Sequence, residues 1–521
     1  MKGSSSMSKV QRKIMFNEDN THQFCEYYEA GVRPTPEIAK EYIAQYAGTQ
    51  VTDYLINVNS MNSSFPSKYL TSYDQKYLQK EENGVAVDYT HTHMLPYYQM
   101  FIEDHYDMYA HWIELLRQIG IRPWLSFRMN DCHNATDKTS YMLCDYFHEH
   151  PEFRRTAHHG PAGYFDNCFD YAHPEIRERM LNYIDEALDR YDVDGVELDY
   201  MREMFCFSVG GEVDGRQIMT DFVRDVRKIM AKYDQKRGKK MPLLVRVAYS
   251  PELCYDMGFD VVEWAKEKLV DIIVASPRWC PTDNDIPVEF WKRILAPYDV
   301  EFAAATELIL CTANDKFWLN THETALASCF QHLSAGADFA YLFNYMRSNV
   351  TNYNDPENYI MYSDLYKWDN YQHLLRNAGE YDTAIRCVRR HVPTYHDMQD
   401  NAPRPFPDRC DTYNLYKKMR IRTGDVPADA EVLLVLGCAR LENPEQLIPF
   451  DKMGVYINSH KLECCGTEKV QPEFTLKPGY CYRVPVDVIR GVNVVELTME
   501  KDGVPFDIDY AEIRVLPKNP R

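Results

Sequence analysis

Short apolar segments alternate with amphipathic segments along most of this chain, and that alternation constrains the fold more than any other feature. Eight apolar or β-branched runs each end in a polar cluster, as buried strands do. Eight strands alternating with helices predict an α/β fold, a (β/α)8 barrel with enlarged loops. A doubly wound open sheet is the alternative. The predicted strands are Lys13–Phe16, Tyr54–Val58, Pro123–Phe127, Gly195–Leu198, Leu243–Ala248, Asp271–Ala275, Glu301–Ala305 and Phe339–Phe343.

The segments between these runs carry apolar residues at helical spacing. One of them begins with Pro174, and proline suits the first position of a helix because the N–H that it lacks has no partner there. The predicted helices are Pro36–Tyr46, Tyr97–Ile119, Pro174–Tyr191, Gln217–Lys232, Val261–Lys268, Pro287–Leu295, Thr321–Ala335 and Tyr371–Glu380.

The pattern changes near residue 380. From there on, strand-like segments are separated by Gly, Pro and Asn turns, which predicts an antiparallel β-sandwich. We therefore expect a catalytic barrel over residues 1–380 and an accessory sandwich over residues 381–521, packed together because no low-complexity linker separates them. The clearest sandwich strands are Glu431–Leu436, Lys452–Ile457, Tyr480–Val484 and Val494–Thr498.

Charge and composition exclude several classes of partner. Acidic residues outnumber basic ones by 78 to 58, and no basic stripe occurs, so neither nucleic acid nor an anionic membrane is an expected partner. The N-terminus lacks an apolar signal core, and no segment reaches the roughly 18 apolar residues of a membrane span. The 15 cysteines are scattered without C-x-x-C pairs, which favours reduced thiols. We expect a cytoplasmic protein, and homo-oligomerisation stays open.

The segment 194–203 is the richest in chemistry, because it places ionisable side chains on and just beyond a short apolar strand. Side chains alternate along a strand, so Glu197 and Asp199 point the same way. In a barrel with a charged rim, that direction is inward. Two carboxylates are therefore expected to face one cavity.

Active sites of (β/α)8 barrels lie at the C-terminal ends of the strands, so the residues that follow each run form one set. This set is rich in carboxylates, amides and guanidinium groups, which bind hydroxyls, and in aromatic rings, which cover sugar faces. The substrate-binding candidates are Asn17, Glu18, Asn59, Arg128, Asn130, Asp131, Glu197, Arg202, Glu203, Arg246, Arg278, Trp279, Asn344 and Tyr345.

Asp199 and Glu307 are the predicted catalytic pair. They belong to the fourth and seventh strands, which lie across the barrel from each other, and glycoside cleavage needs two carboxyl groups that flank the scissile bond. The alternative for Asp199 is a buried structural acid paired with Arg202 or Arg246, and the alternative for Glu307 is a rim acid paired with an arginine. Glu197 lies deeper and is expected to orient Asp199 or to tune its pKa.

Metal and nucleotide chemistry have little support in the sequence. The close histidine pairs are His91 with His93, His148 with His150, and His158 with His159, and none has the spacing of a zinc site. No G-x-S-x-G elbow, P-loop or G-x-G-x-x-G segment follows a strand. We expect neither a metal nor another cofactor, although a metal-assisted enzyme stays an alternative.

From residue 13 to 347 the chain resembles the glycosyl hydrolase-like 10 group of β/α-barrel proteins. The most specific segments are Phe169–Arg177 and Tyr191–Arg202, supported by Gly258–Trp264 and by Leu342–Tyr345. The resemblance implies that Asp199 is the catalytic or substrate-contacting carboxylate. The same region half-matches the chitinase pattern D-G-x-D-x-D-x-E, but Met201 stands where the catalytic glutamate belongs, and a thioether cannot donate a proton.

These observations predict a metal-independent glycoside hydrolase or transglycosidase that acts on an oligo- or polysaccharide through Asp199 and Glu307, with Asp199 as nucleophile and retention of configuration. A catalytically degenerate barrel that only binds glycans is the alternative from another functional class.

Overall fold

In a computed structural model of the protein, the residues that the structure describes are 11–19, 21–82, 84–132, 137, 140–142, 145–156, 168–278, 281–313, 316–347, 360–361, 364–394, 405–444, 446–469 and 478–521. Eight parallel strands close into a barrel and follow one another in chain order, which confirms the predicted (β/α)8 fold. The strands are β1 Ile14–Glu18, β2 Val51–Asn57, β3 Arg122–Arg128, β4 Gly195–Asp199, β5 Leu243–Ala248, β6 Ile272–Ser276, β7 Glu301–Glu307 and β8 Ala340–Phe343.

Helices cover the outside of this barrel and add short pieces at its loops. They are α1 His22–Glu29, α2 Pro36–Ala44, α3 Tyr73–Leu78, α4 Met94–Tyr98, α5 Met108–Gln118, α6 Asp145–Glu149, α7 Pro174–Arg190, α8 Glu212–Arg237, α9 Pro251–Asp256, α10 Val261–Lys266, α11 Val288–Leu295, α12 His322–Ser334, α13 Trp368–Asn377 and α14 Tyr381–Ala384.

The predicted continuous helix Tyr97–Ile119 is wrong. The chain winds as a π-helix over Gln99–Glu103, and His105 then takes a φ of 50°, which no right-handed helix accommodates. A new helix, α5, starts after Asp107, whose side chain accepts a hydrogen bond from the Ala110 N–H at 3.1 Å. Apolar periodicity continues across the break, so the pattern alone does not reveal it.

Gly195 opens β4 because no larger residue fits there. A Cβ at this position would lie 2.3 Å from the ring of Trp124, which is fully buried inside the barrel on β3. Trp124 packs there with Met15, Leu55 and Leu244 in an apolar layer. The glycine thus lets β4 approach the tryptophan closely, and this contact fixes the strand that carries Glu197 and Asp199.

Ten further strands form two antiparallel sheets that share one apolar core, as predicted for the C-terminal region. One sheet has the order β9-β18-β12-β16-β15, with β10 also paired to β18, and the other has the order β11-β17-β13-β14. The strands are β9 Arg389–His391, β10 Asp408–Cys410, β11 Tyr416–Arg422, β12 Glu431–Arg440, β13 Met453–Ile457, β14 His460–Leu462, β15 Cys464–Lys469, β16 Pro478–Arg483, β17 Val492–Met499 and β18 Phe506–Leu516.

Two findings concern the described residues as a whole. Their cysteines are all free thiols. Among their helices, none combines the length and the apolar character that crossing a bilayer demands.

Candidate active site

Arg246 joins the two predicted catalytic carboxyl groups at the C-terminal ends of the barrel strands, a region called the barrel mouth below. Its Nε and Nη2 donate to the two carboxylate oxygens of Asp199, at 2.8 and 3.1 Å. Its Nη1 donates to Glu307 Oε1 at 2.8 Å. All three side chains are fully buried. The side-on pair with Asp199 is the strong, geometrically specific form of an arginine–carboxylate contact.

Of these two carboxyl groups, Glu307 has the less complete set of hydrogen bonds. Its Oε1 also accepts from Ser276 Oγ at 3.1 Å, but its buried Oε2 has no hydrogen-bond partner among the described residues. Burial raises the pKa of Glu307 to about 8, although Arg246 and the Ser276 hydroxyl act in the opposite direction. A carboxyl group with this pKa holds its proton at neutral pH, and Oε2 is the oxygen available to donate it.

Glu197 lies two residues before Asp199, on the same inward face of β4. Its carboxylate accepts from Asn17 Nδ2 at 2.7 Å and from the Tyr341 hydroxyl at 2.5 Å. Burial and the charge of Asp199 raise the pKa of Glu197 to about 7, against the opposing effect of Arg246. Glu197 is thus held by neighbours on β1 and β8 and adds a second titratable group beneath Asp199.

A second charged cluster lies on the loops just beyond the strand ends. Arg128 Nη2 donates to Asp19 Oδ2 at 2.6 Å, and its Nη1 donates to Asp131 Oδ2 at 3.2 Å. Arg202 Nε lies 4.0 Å from Asp131 Oδ2. The arginines outweigh the effect of burial on Asp19, so the pKa of that carboxyl is lowered. These ion pairs fix the loops that follow β1, β3 and β4.

Glu203 belongs to the same cluster but is bonded differently. It is fully buried, and neither of its carboxyl oxygens has a hydrogen-bond partner among the described residues. The nearest cation is Arg278, whose Nε lies 3.5 Å from Oε2. Burial raises the pKa of Glu203 to about 7, while Arg278 and Arg202 act to lower it.

The side chains of three predicted substrate-binding residues instead form hydrogen bonds with the protein backbone. Asn59 exchanges hydrogen bonds with the backbone of Arg128, donating at 2.8 Å and accepting at 3.1 Å. Asn130 does the same with Phe169, at 2.9 and 3.1 Å. The Tyr345 hydroxyl donates to the carbonyl of Glu307 at 2.8 Å. These side chains position the strand ends that carry the charged residues.

The remaining predicted residues have mixed outcomes. Asn344 is half-buried, has a φ of 62°, and its Oδ1 has no hydrogen-bond partner among the described residues. Trp279 and the pair His158 and His159 lie outside the described residues. Across the part of the chain that is described, no group of three or more His, Cys, Asp or Glu side chains is arranged to hold a metal ion.

Sequence reasoning missed a hydrogen-bonded network around Glu18. His22 Nδ1 lies 3.0 Å from Glu18 Oε1, and the Tyr42 hydroxyl donates to Oε2 at 2.5 Å. Burial lowers the pKa of His22, but Glu18 outweighs this effect and the pKa is raised. Tyr42 also lines a cavity of about 830 Å³ beside α1 and α2, together with Trp368. Ser276 and Tyr341 were missed too, although strand alternation at the ends of β6 and β8 could have indicated both.

No protein-family model matches the chain, and no curated protein matches it. The solved structures that resemble it include a cycloisomaltooligosaccharide glucanotransferase from Paenibacillus sp., at 10% identity with a TM-score of 0.35 over 98% of this chain. Others are α-L-fucosidase isoenzyme 2 from Paenibacillus thiaminolyticus, at 12% identity and a TM-score of 0.39 over 64% of this chain, and the PgaB glycoside hydrolase domain from Bordetella bronchiseptica, at 11% identity and a TM-score of 0.39 over 70% of this chain.

The chain spans 58% of the glucanotransferase, 46% of the fucosidase and 99% of the PgaB domain. The names of these three similar structures are those of carbohydrate-active enzymes. Likeness at these scores carries no argument about the reaction of this chain.

Proposed function

We propose that the protein is a glycoside hydrolase or transglycosidase that acts on an oligo- or polysaccharide through Asp199 and Glu307. One observation supports this most strongly. Two buried carboxyl groups lie on opposite edges of the Arg246 guanidinium. One of them, Glu307, has a raised pKa and a carboxyl oxygen for which the described residues supply no hydrogen bond. Carboxyl groups placed in such different environments suit the separate roles of acid and nucleophile.

In this proposal Glu307 Oε2 donates its proton to the glycosidic oxygen as the bond to the anomeric carbon breaks. Asp199 attacks that carbon and forms a glycosyl ester. Water, or a hydroxyl of a second sugar, then attacks the ester and returns a proton to Glu307, and Asp199 leaves as a carboxylate. Two inversions at one carbon give net retention of configuration, and no metal takes part.

Arg246 has a defined role in this cycle. It donates to both carboxyl groups, so it neutralises Asp199 before the attack and stabilises Glu307 once the proton has gone. A preorganised cation in a buried site stabilises developing charge without having to reorient.

The alternative is a barrel that binds glycans without cleaving them. The side-on ion pair between Arg246 and Asp199 favours it, because a purely structural acid has the same contact. The two proposals differ in turnover and not in saccharide binding.

A panel of aryl glycosides and natural oligosaccharides tests the proposal, with Glu307→Gln as the diagnostic variant. On oligosaccharides, whose leaving groups need a proton, we expect kcat/KM to fall about 10² to 10⁴-fold. On dinitrophenyl glycosides, whose leaving groups depart unprotonated, we expect a much smaller loss. A chelator should leave the activity unchanged.

The matched control is Glu178→Gln, which makes the same charge change at an exposed site on α7. Binding without turnover across the whole panel would replace the enzyme with the glycan-binding barrel. Equal losses on both substrate types would remove Glu307 from the role of acid.

A further inference from the structure

Several buried oxygen atoms at the barrel mouth have no hydrogen-bond partner among the described residues. Among the described residues they include both carboxyl oxygens of Glu203, Oε2 of Glu307, Oδ1 of Asn17 and Oδ1 of Asn344. The amide oxygens of Asn17 and Asn344 accept hydrogen bonds, and the carboxyl oxygens of Glu203 accept them when that group is ionised. Glu307 Oε2 holds a proton at neutral pH, because the pKa of Glu307 is raised to about 8, and it donates to a ligand instead. A buried acceptor without a donor has lost its hydrogen bonds to water without replacement, so a ligand that brings donors to this mouth is stabilised there.

The cations of the mouth already face carboxylates. Arg128 contacts Asp19 and Asp131, and Arg246 contacts Asp199 and Glu307.

Arg202 lies near Asp131, and Arg278 lies 3.5 Å from Glu203. Glu197 adds a carboxyl group whose hydrogen bonds come from an amide and a hydroxyl. Carboxyl groups therefore outnumber guanidinium groups around the space where a substrate has to enter. Wherever one of these carboxyl groups is ionised, an anionic ligand meets like charge in a buried, weakly screened environment.

We propose that Glu203 is a specificity-determining residue that admits saccharides with hydroxyl or ammonium donors and rejects saccharides that carry carboxylate or sulfate groups. The inference rests on the proposed function and names its substrate class. The carboxyl oxygens of Glu203, which have no hydrogen-bond partner among the described residues, accept hydrogen bonds from the sugar, and the charge of the ionised group repels an acidic sugar.

Glu203 also neutralises Arg278, and this contact makes the inference testable as a change of specificity. In Glu203→Gln the shape of the side chain is kept, while the anion next to Arg278 Nε is lost. A guanidinium group that loses its carboxylate can bind the carboxylate of a uronic acid instead. The variant should therefore gain affinity for acidic sugars as it loses affinity for neutral ones.

Equilibrium binding measured by calorimetry separates this inference from catalysis. Galacto-oligosaccharides and oligogalacturonides of matched length serve as probes, with similar neutral and uronate pairs of other sugars. Glu307→Gln is the parent, so that turnover does not consume the ligand. We expect the parent to bind neutral oligosaccharides at least about tenfold more tightly than uronates, the size of one well-placed polar contact.

Adding Glu203→Gln should weaken neutral binding about tenfold and strengthen uronate binding by a similar factor. Adding Arg278→Gln as well should remove the uronate gain, and Glu178→Gln on the parent should change neither value. If Glu203→Gln does not fold, Arg278→Gln alone tests the same point, because it should deepen the rejection of uronates.

The outcomes are distinct. Uronates that bind the parent as tightly as neutral sugars would overturn the selectivity while the saccharide function survives. If neither class binds, the proposed function fails and the selectivity fails with it. If the parent prefers neutral sugars and Glu203→Gln leaves that preference unchanged, the selectivity belongs to other residues.

Discussion

Each end of the barrel contains a buried carboxyl group that contacts an arginine, and the two carboxyl groups differ in their hydrogen bonds. Toward the N-terminal ends of the strands, Asp53 accepts from Arg122 Nε at 2.7 Å and Nη2 at 2.5 Å, and from Trp124 Nε1 at 2.9 Å. Both of its oxygens are used. At the mouth, Glu307 shares Arg246 with Asp199, and one of its oxygens has no partner within the described part of the chain. The first arrangement suits a structural acid, and the second leaves a carboxyl oxygen to bind a ligand.

Glu512 in the β-sandwich shows that burial alone does not mark a functional acid. It is as buried as Glu307, but it accepts hydrogen bonds from Arg390, Arg514 and Tyr510. Burial would raise the pKa of Glu512, and the two arginines outweigh it, so the pKa is lowered. The distinguishing feature of the mouth is therefore a buried carboxyl group with incomplete hydrogen bonding.

The largest expected effect is the loss of turnover in Asp199→Asn. The amide keeps the shape of the side chain but can neither attack an anomeric carbon nor accept a proton. We expect kcat to fall by roughly 10⁴-fold or more, with a small change in Tm, measured on the same preparation. An unstable protein with residual activity in its folded fraction would show that Asp199 is structural, like Asp53.

Asp53→Asn should give the opposite result. It leaves Arg122 and Trp124 Nε1 with a weaker acceptor. Because Asp53 is buried but Arg122 is only half-buried, we expect about 2 kcal/mol of lost stability, the size of hydrogen bonds to a charged group. Turnover per folded molecule should not change. Two measurements check this prediction: thermal unfolding gives the change in stability, and an activity assay at a temperature well below Tm gives the turnover. A catalytic loss without a drop in Tm would contradict the contrast between the two barrel ends.

The last expected effect is a pH dependence of stability that Glu307 imposes. Its pKa in the folded protein, about 8, exceeds its ordinary value of 4.5, so the native state retains a proton that the unfolded chain loses. This stabilising contribution is complete below pH 4.5 and disappears as the pH rises through 8, at up to about 1.4 kcal/mol per pH unit. Wild-type Tm should therefore fall relative to that of Glu307→Gln between pH 5 and 8, and parallel curves would refute the raised pKa.

The sequence predicts the barrel mouth well where simple periodicity decides it. Alternation along β4 places Glu197 and Asp199 on one face, and the order of the strands places Asp199 and Glu307 at the same end. Helix continuity was predicted less well, because apolar spacing persists through the π-turn at Gln99–Glu103. Periodicity reports which face of a segment is buried, and it does not report whether the backbone stays regular.

The sequence by itself determined the eightfold alternation of strands and helices, the antiparallel strands of the C-terminal region, and the carboxylates at the strand ends, because these follow from the spacing of apolar residues along the chain. Only the tertiary structure decided which carboxylates have partners. Arg246 reaches both Asp199 and Glu307 because β5 lies between β4 and β7 in the closed barrel. The side chains of Asn59, Asn130 and Tyr345 donate hydrogen bonds to backbone groups that only the folded loops bring near. Hydrogen bonding depends on distances of a few ångströms between residues far apart in sequence, and no local pattern encodes those distances.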